Sequence, residues 1–109
     1  MSDFNSYQRS ATKTAIYPPE HKILYPALGL AGEAGEVANK VKKVMRDGVE
    51  NQPDNWREQI ASEIGDVLWY CAALATDLNV SLGMIASLNE KKLQDRYERG
   101  KLNGSGDNR

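Results

Sequence analysis

The sequence predicts an all-α protein, a four-helix bundle, on three observations. Apolar residues recur at helical spacing through four separate segments, no stretch alternates apolar and polar residues as a half-buried strand would, and the connections are short. Short connections favour antiparallel neighbours in a compact bundle. The chain has 109 residues, enough for one domain with a modest core. The helical domain is assigned to residues 1–100 and a flexible, glycine-bearing C-terminal tail to 101–109.

The first helix is expected from Asp3 to Ala15, because Phe4, Tyr7, Ala11 and Ala15 share one face; Tyr17-Pro18-Pro19 stops it. The second is expected to start between Ile23 and Pro26, with the proline in its first turn, and to run to Arg46 before Asp47-Gly48. Leu30, Val37, Val41 and Val44 form one stripe on it, and Leu28, Ala31, Gly35, Ala38 and Met45 an adjacent one. Glu33, Glu36 and Lys40 occupy the remaining sector. Asp54 or Asn55 caps the third helix, with Glu58 completing a capping box. Its core face is predicted as Ile60, Ile64, Val67, Cys71, Leu74 and Leu78. Ser81 caps the fourth helix, which continues to Arg99 and stops at Gly100.

Bulk composition removes several function classes. Fourteen basic and fifteen acidic residues leave a net charge of −1, so no global field favours nucleic acid. No apolar run approaches the length of a membrane span, and the first residues lack the basic and apolar regions of a signal peptide. One cysteine, Cys71, fits a reducing compartment, and a cytoplasmic location is expected. His21 is the single histidine, which excludes both a histidine-built zinc site and the paired Glu-x-x-His motifs of a di-iron bundle.

Chemistry concentrates in two short patterns. Glu33-Ala34-Gly35-Glu36-Val37 and Glu63-Ile64-Gly65-Asp66-Val67 each set two acids three residues apart, on one helix face and within an apolar stretch. Spacing alone does not single them out, since Asp47/Glu50 and Asp95/Glu98 share it. Those two pairs straddle a turn or sit among lysines and arginines, whereas the central pairs have small and apolar neighbours. Four carboxylates in low-polarity surroundings repel unless a cation holds them, and a hard divalent metal is the simplest one. The bland alternative is a helix pair whose partly exposed acids are balanced by Lys40 and Arg57. Gly29, Gly32, Gly35 and Gly65 lie inside helices at about 1 kcal/mol each, which favours sites where a backbone or ligand comes close.

On the fourth helix Ile85, Asn89, Lys92 and Arg96 fall on one face that begins apolar and turns cationic. Such a face suits phosphate oxygens; the competing explanation is a solvated charged surface. Trp56, Trp69, Tyr25 and His21 are candidates to stack on or hydrogen-bond a base, and Gln8 and Arg9 to reach the pocket or that of a neighbouring subunit.

These motifs resemble the MazG-like, all-α nucleoside triphosphate pyrophosphohydrolases. The resemblance rests on Glu33-x-x-Glu36, a gap of 26 residues, Glu63-x-x-Asp66 and Asn89-x-x-Lys92-Leu93-x-x-Arg96. The tail from Gly104 to Arg109 is similar to that of the short single-domain phage and bacterial members. The resemblance implies hydrolysis of a (deoxy)nucleoside triphosphate to the monophosphate and pyrophosphate, a nucleotide-pool housekeeping activity. It implies that Glu33, Glu36, Glu63 and Asp66 hold Mg²⁺, or Mn²⁺ as a substitute, and that Glu36 or Glu63 acts as general base. It implies that Asn89, Lys92 and Arg96 contact substrate, as does Tyr70, whose other explanation is core packing. Wide apolar arcs on two helices, together with the dimers or dimers of dimers of the family, lead to the expectation of a homodimer or homotetramer. The alternative function is a non-catalytic helical nucleotide-binding or interaction module.

Overall fold

A computed structural model describes residues 3–100. They form four helices: α1 (Phe4–Thr12), α2 (Leu24–Asp47), α3 (Trp56–Asp77) and α4 (Leu82–Glu98). Single 3₁₀ turns at Pro19–His21 and Val49–Asn51 precede and follow α2. There is no strand among the described residues. No single described helix is long and apolar enough to cross a membrane. The proposed tail, 101–109, lies outside the described residues.

Each boundary has a local cause. The Asp3 carboxylate caps α1 by accepting from the Ser6 amide at 2.7 Å. This helix ends at Thr12 rather than Ala15. The amides of Lys13, Thr14 and Ala15 switch to i−3 carbonyls, and the Thr14 hydroxyl donates to the Ala11 carbonyl while accepting from the Trp69 indole at 2.8 Å. A tertiary contact thus tightens the last turn. Gly48, at φ 89°, closes α2. The capping box expected at α3 does not form: Asn55 sits at ψ 25° rather than extended, and its side-chain oxygen accepts from Gln59 instead. Ser81 caps α4 as expected, accepting from the Met84 amide at 3.0 Å.

α2 and α3 make the main helix pair, and α1 packs across α3. Gln8 ties α1 to the α3–α4 junction. Its amide group donates to the Thr76 hydroxyl and the Val80 carbonyl, and its oxygen accepts from the Leu82 amide at 2.7 Å. Gln8 is therefore a structural clip, contrary to the expectation that it reaches a substrate pocket.

The chain bends by 103° between α3 and α4, so these two helices are not the antiparallel neighbours that a short connection predicts. Backbone at the break supplies the reason. Asn79 adopts φ 59°, and Gln8 and Asn5 capture the Leu82 and Gly83 amides, aiming α4 across α1. The radius of gyration is 16.8 Å, against about 13 Å for a compact chain of this length.

The buried core is built of small residues. Ala11, Ala72, Ala75 and Leu82 cluster, with Tyr7, Leu68, Trp69 and Cys71 packed against them. Several larger apolar side chains that were expected to form it are outside: Leu28 is 65% exposed, Met45 81%, Ile64 55% and Leu78 50%. Helices that approach through alanines leave their long apolar stripes facing away from the protomer.

Candidate metal centre

Facing sectors of α2 and α3 carry the acids. Glu33 lies eight residues after Tyr25 on α2, and Asp66 lies four residues before Tyr70 on α3, so both helices present an aromatic ring and then carboxylates along one seam. Carboxylate oxygens of Glu33, Glu63 and Asp66 all lie within 4.8 Å of one another. Glu33 and Glu63 are half-buried and Asp66 is exposed. Partial burial, then the facing Asp66 and Glu63 carboxylates, push the Glu33 carboxyl above its ordinary range. Glu36, the fourth predicted ligand, is exposed and outside this trio; it adds only a smaller repulsion to Glu33.

One cation faces the trio. Lys40 Nζ stands 3.8 Å from Glu63 Oε1, both side chains being partly enclosed. The bland alternative required Lys40 and Arg57 to balance the acids. Only Lys40 does so; the Arg57 guanidinium stacks 4.8 Å over the Trp56 ring instead. Three carboxylates against one ammonium leave a negative excess made of hard oxygen donors, which is the donor chemistry of Mg²⁺ or Mn²⁺. Beyond Lys40 a cleft of about 210 Å³ continues between the helices, lined by Lys43, Gln52, Trp56 and Gln59 among others.

Aromatic rings border the other end. Tyr17 stacks on Tyr25 at 4.6 Å and 18°, Tyr25 lies 6.4 Å from Tyr70, and Trp69 meets Tyr70 edge-on at 5.0 Å. Tyr70 stands one turn after Asp66 on α3, and burial, then the Tyr25 phenol and the Glu33 and Asp66 carboxylates, raise its phenol. Gly29 makes this seat possible, because a Cβ there would collide with the Tyr70 ring. The other three glycines of α2 and α3 differ: nothing lies within 4 Å of a Cβ at Gly32, Gly35 or Gly65. Close approach inside the protomer therefore explains one glycine of the four.

Trp69 spends its indole N–H on Thr14 and packs on the alanine core, so it belongs to the fold rather than to a base-binding surface. Cys71 packs on the same core, and burial raises its thiol. His21 is exposed in the 3₁₀ turn.

Asn89 and Lys92 are exposed on α4, whereas Arg96 is 4% exposed. Because α4 leaves α3 at 103°, this stripe stands apart from the acids of its own protomer. At 1.5 Å per residue, Glu63 lies about 20 Å before the bend and Lys92 about 15 Å after it, so the two are roughly 20 Å apart.

The family described as the MazG nucleotide pyrophosphohydrolase domain matches residues 21–100, a span that contains both acid pairs and the α4 stripe. A relative from Mycobacterium phage L5, called Gene 37 protein, is 48% identical over 111 residues, covering 94% of this chain and 96% of its own. No solved structure matches.

Proposed function

We propose, starting from the fact that this chain belongs to the MazG nucleotide pyrophosphohydrolase family, that it converts a (deoxy)nucleoside triphosphate to the monophosphate and pyrophosphate. The convergence of Glu33, Glu63 and Asp66 within 4.8 Å, opposed among the described residues by Lys40 alone, carries this reading. Glu33, Glu63 and Asp66 hold Mg²⁺, for which Mn²⁺ can substitute, and Glu36 completes the set from the next turn of α2. When bound, the metal supplies charge neutralisation for the triphosphate and an acidified water.

The chain's own residues do the rest. Water oxygen adds to phosphorus, the bond joining the nucleotide to the departing pyrophosphate breaks, and one proton must leave the water. Glu36 and Glu63 are the two acceptors for that proton. Glu36 has the better claim, since Lys40 forms its ion pair with Glu63. Tyr70, beside the acids, orients the substrate.

Asn89 and Lys92 act on the phosphate oxygens from a second copy of the chain, because the α4 arm of the same protomer is too distant; Arg96, 4% exposed, is enclosed within its own protomer. Large apolar side chains left outside the protomer, Leu28, Met45, Ile64 and Leu88, favour that self-association as a homodimer or homotetramer. The proposed substrate is a free nucleotide rather than nucleic acid, and the proposed compartment is the cytoplasm.

A panel of canonical and modified dNTPs and NTPs with Mg²⁺, followed by pyrophosphate detection, tests the reading. Equimolar pyrophosphate and monophosphate are expected, and Glu63→Gln abolishes turnover with helix content unchanged. Release of inorganic phosphate instead overturns the reading in favour of a phosphohydrolase, and no product from any nucleotide by folded protein overturns it in favour of a non-catalytic module.

A further inference from the structure

The chain enters α2 through a strained backbone. Ile23 lies at φ 68°, ψ −57°, and the Leu24 amide donates to the Lys22 carbonyl at 2.7 Å, closing a γ-turn of the rare left-handed kind. A β-branched residue avoids this region, and such outliers persist only where neighbours over-determine them.

Asp77 is that neighbour. Its Oδ2 accepts from the Ile23 amide at 2.8 Å and from the Tyr17 hydroxyl at 2.7 Å. The position is otherwise unfavourable for an acid, because Asp77 is the last residue of α3, where the helix dipole disfavours negative charge. Burial, then this hydrogen bond, push the Tyr17 phenol up to about 12. Tyr17 in turn stacks on Tyr25, and Tyr25 adjoins Tyr70 at the acids. Asp77 is eleven residues beyond Asp66 on the same helix, about 16 Å along the axis, too far to touch a metal or phosphate there.

We propose that Asp77 is a positioning residue: by clamping the Ile23 γ-turn and the Tyr17 hydroxyl, it sets Tyr25 and the first turn of α2 against Tyr70, and so shapes the aromatic wall of the substrate site. What that wall contacts rests on the proposed pyrophosphohydrolase reading; the clamp itself does not.

Three variants test it: Asp77→Ala, Asp77→Asn, and Asp77→Ala combined with Ile23→Gly. Amide exchange at Ile23 and Leu24, Mn²⁺ binding, and KM and kcat on the nucleotide that the parent turns over best are measured on each. Asp77→Ala speeds exchange at both amides and raises KM about tenfold, the size expected for losing one strained contact. Its kcat stays within about twofold and its Mn²⁺ affinity is unchanged. Asp77→Asn, which keeps an acceptor oxygen, retains most of the parent KM. Glycine at 23 accepts the left-handed conformation without strain, so the double variant recovers part of the loss.

Unchanged exchange and KM in folded Asp77→Ala overturn the proposal. So does Mn²⁺ affinity that falls in step with KM, or failure of all three variants to fold, since each marks a purely structural role. A parent that turns over no nucleotide sinks the pyrophosphohydrolase reading alone; the exchange arm still decides the clamp.

Discussion

Replacing Gly29 with alanine separates a glycine needed for packing from glycines that are not. A mid-helix Gly→Ala change gains about 1 kcal/mol of helix propensity. At Gly65, where a new Cβ meets nothing within 4 Å, that gain stands whole. It corresponds to a rise in Tm of about 4–8 °C for a domain of this size. At Gly29 the new methyl falls on the Tyr70 ring, an aromatic body held between Tyr25 and Trp69. Overpacking of this kind costs about 1–3 kcal/mol, so the net effect is a loss of zero to about 2 kcal/mol. Tyr70 cannot keep its place beside the acids, and KM for nucleotide rises as well. Thermal unfolding by circular dichroism on Gly29→Ala and Gly65→Ala, together with steady-state kinetics, reads both effects. A Tm gain at Gly29 equal to that at Gly65 would refute the seat assigned to Tyr70. A fall in Tm at Gly65 would mean that its face is covered, as a second copy of the chain would cover it.

Further outcomes follow from the charges and the seam. Lys40→Met removes the cation that competes for Glu63, so Mn²⁺ binding in the absence of nucleotide, followed by calorimetry, tightens about two- to fivefold; weaker binding would instead make Lys40 an organiser of the trio. Tyr17 is held protonated to about 12 in the folded chain against 10.0 unfolded, a raised value. The stability it contributes is therefore complete below pH 10 and is lost as pH climbs from 10 toward 12. Tyr17→Phe costs about 1 kcal/mol at neutral pH and flattens that alkaline decline, as urea unfolding across the window reports; parallel declines in parent and variant would exclude the Tyr17–Asp77 bond as its source.

Much of the site was legible because its information is local. An acid pair at i, i+3 within an apolar run fixes which helix face carries charge, and two such runs on consecutive helices face each other across a short turn. Glu33, Glu63 and Asp66 followed that rule and Glu36 did not, since periodicity gives an angle around the helix with a tolerance of tens of degrees. Three acids meeting at one point need more than that. Lys40 was visible as a counter-charge on the same sector; that it would touch Glu63 while Arg57 turned to Trp56 was not. Gly29 stood among four helical glycines with nothing local to single it out. Only the position of Tyr70, 41 residues later, did so.

By itself the sequence determined four helices, the capping of α4 by Ser81, the stop at Gly48 and the two acidic faces, because each depends on neighbours within a turn or two. Tertiary structure alone decided what depends on residues 54 to 78 positions apart. Asn5 and Gln8 redirect α4 through the 103° bend, Asp77 holds Ile23 in its left-handed turn, and Trp69 trims α1 through Thr14. Alanines, which lose the least side-chain entropy and let helices come closest, took the core. Several of the long apolar side chains that a helical wheel assigns to it, Leu28, Met45 and Ile64 among them, were left facing outward.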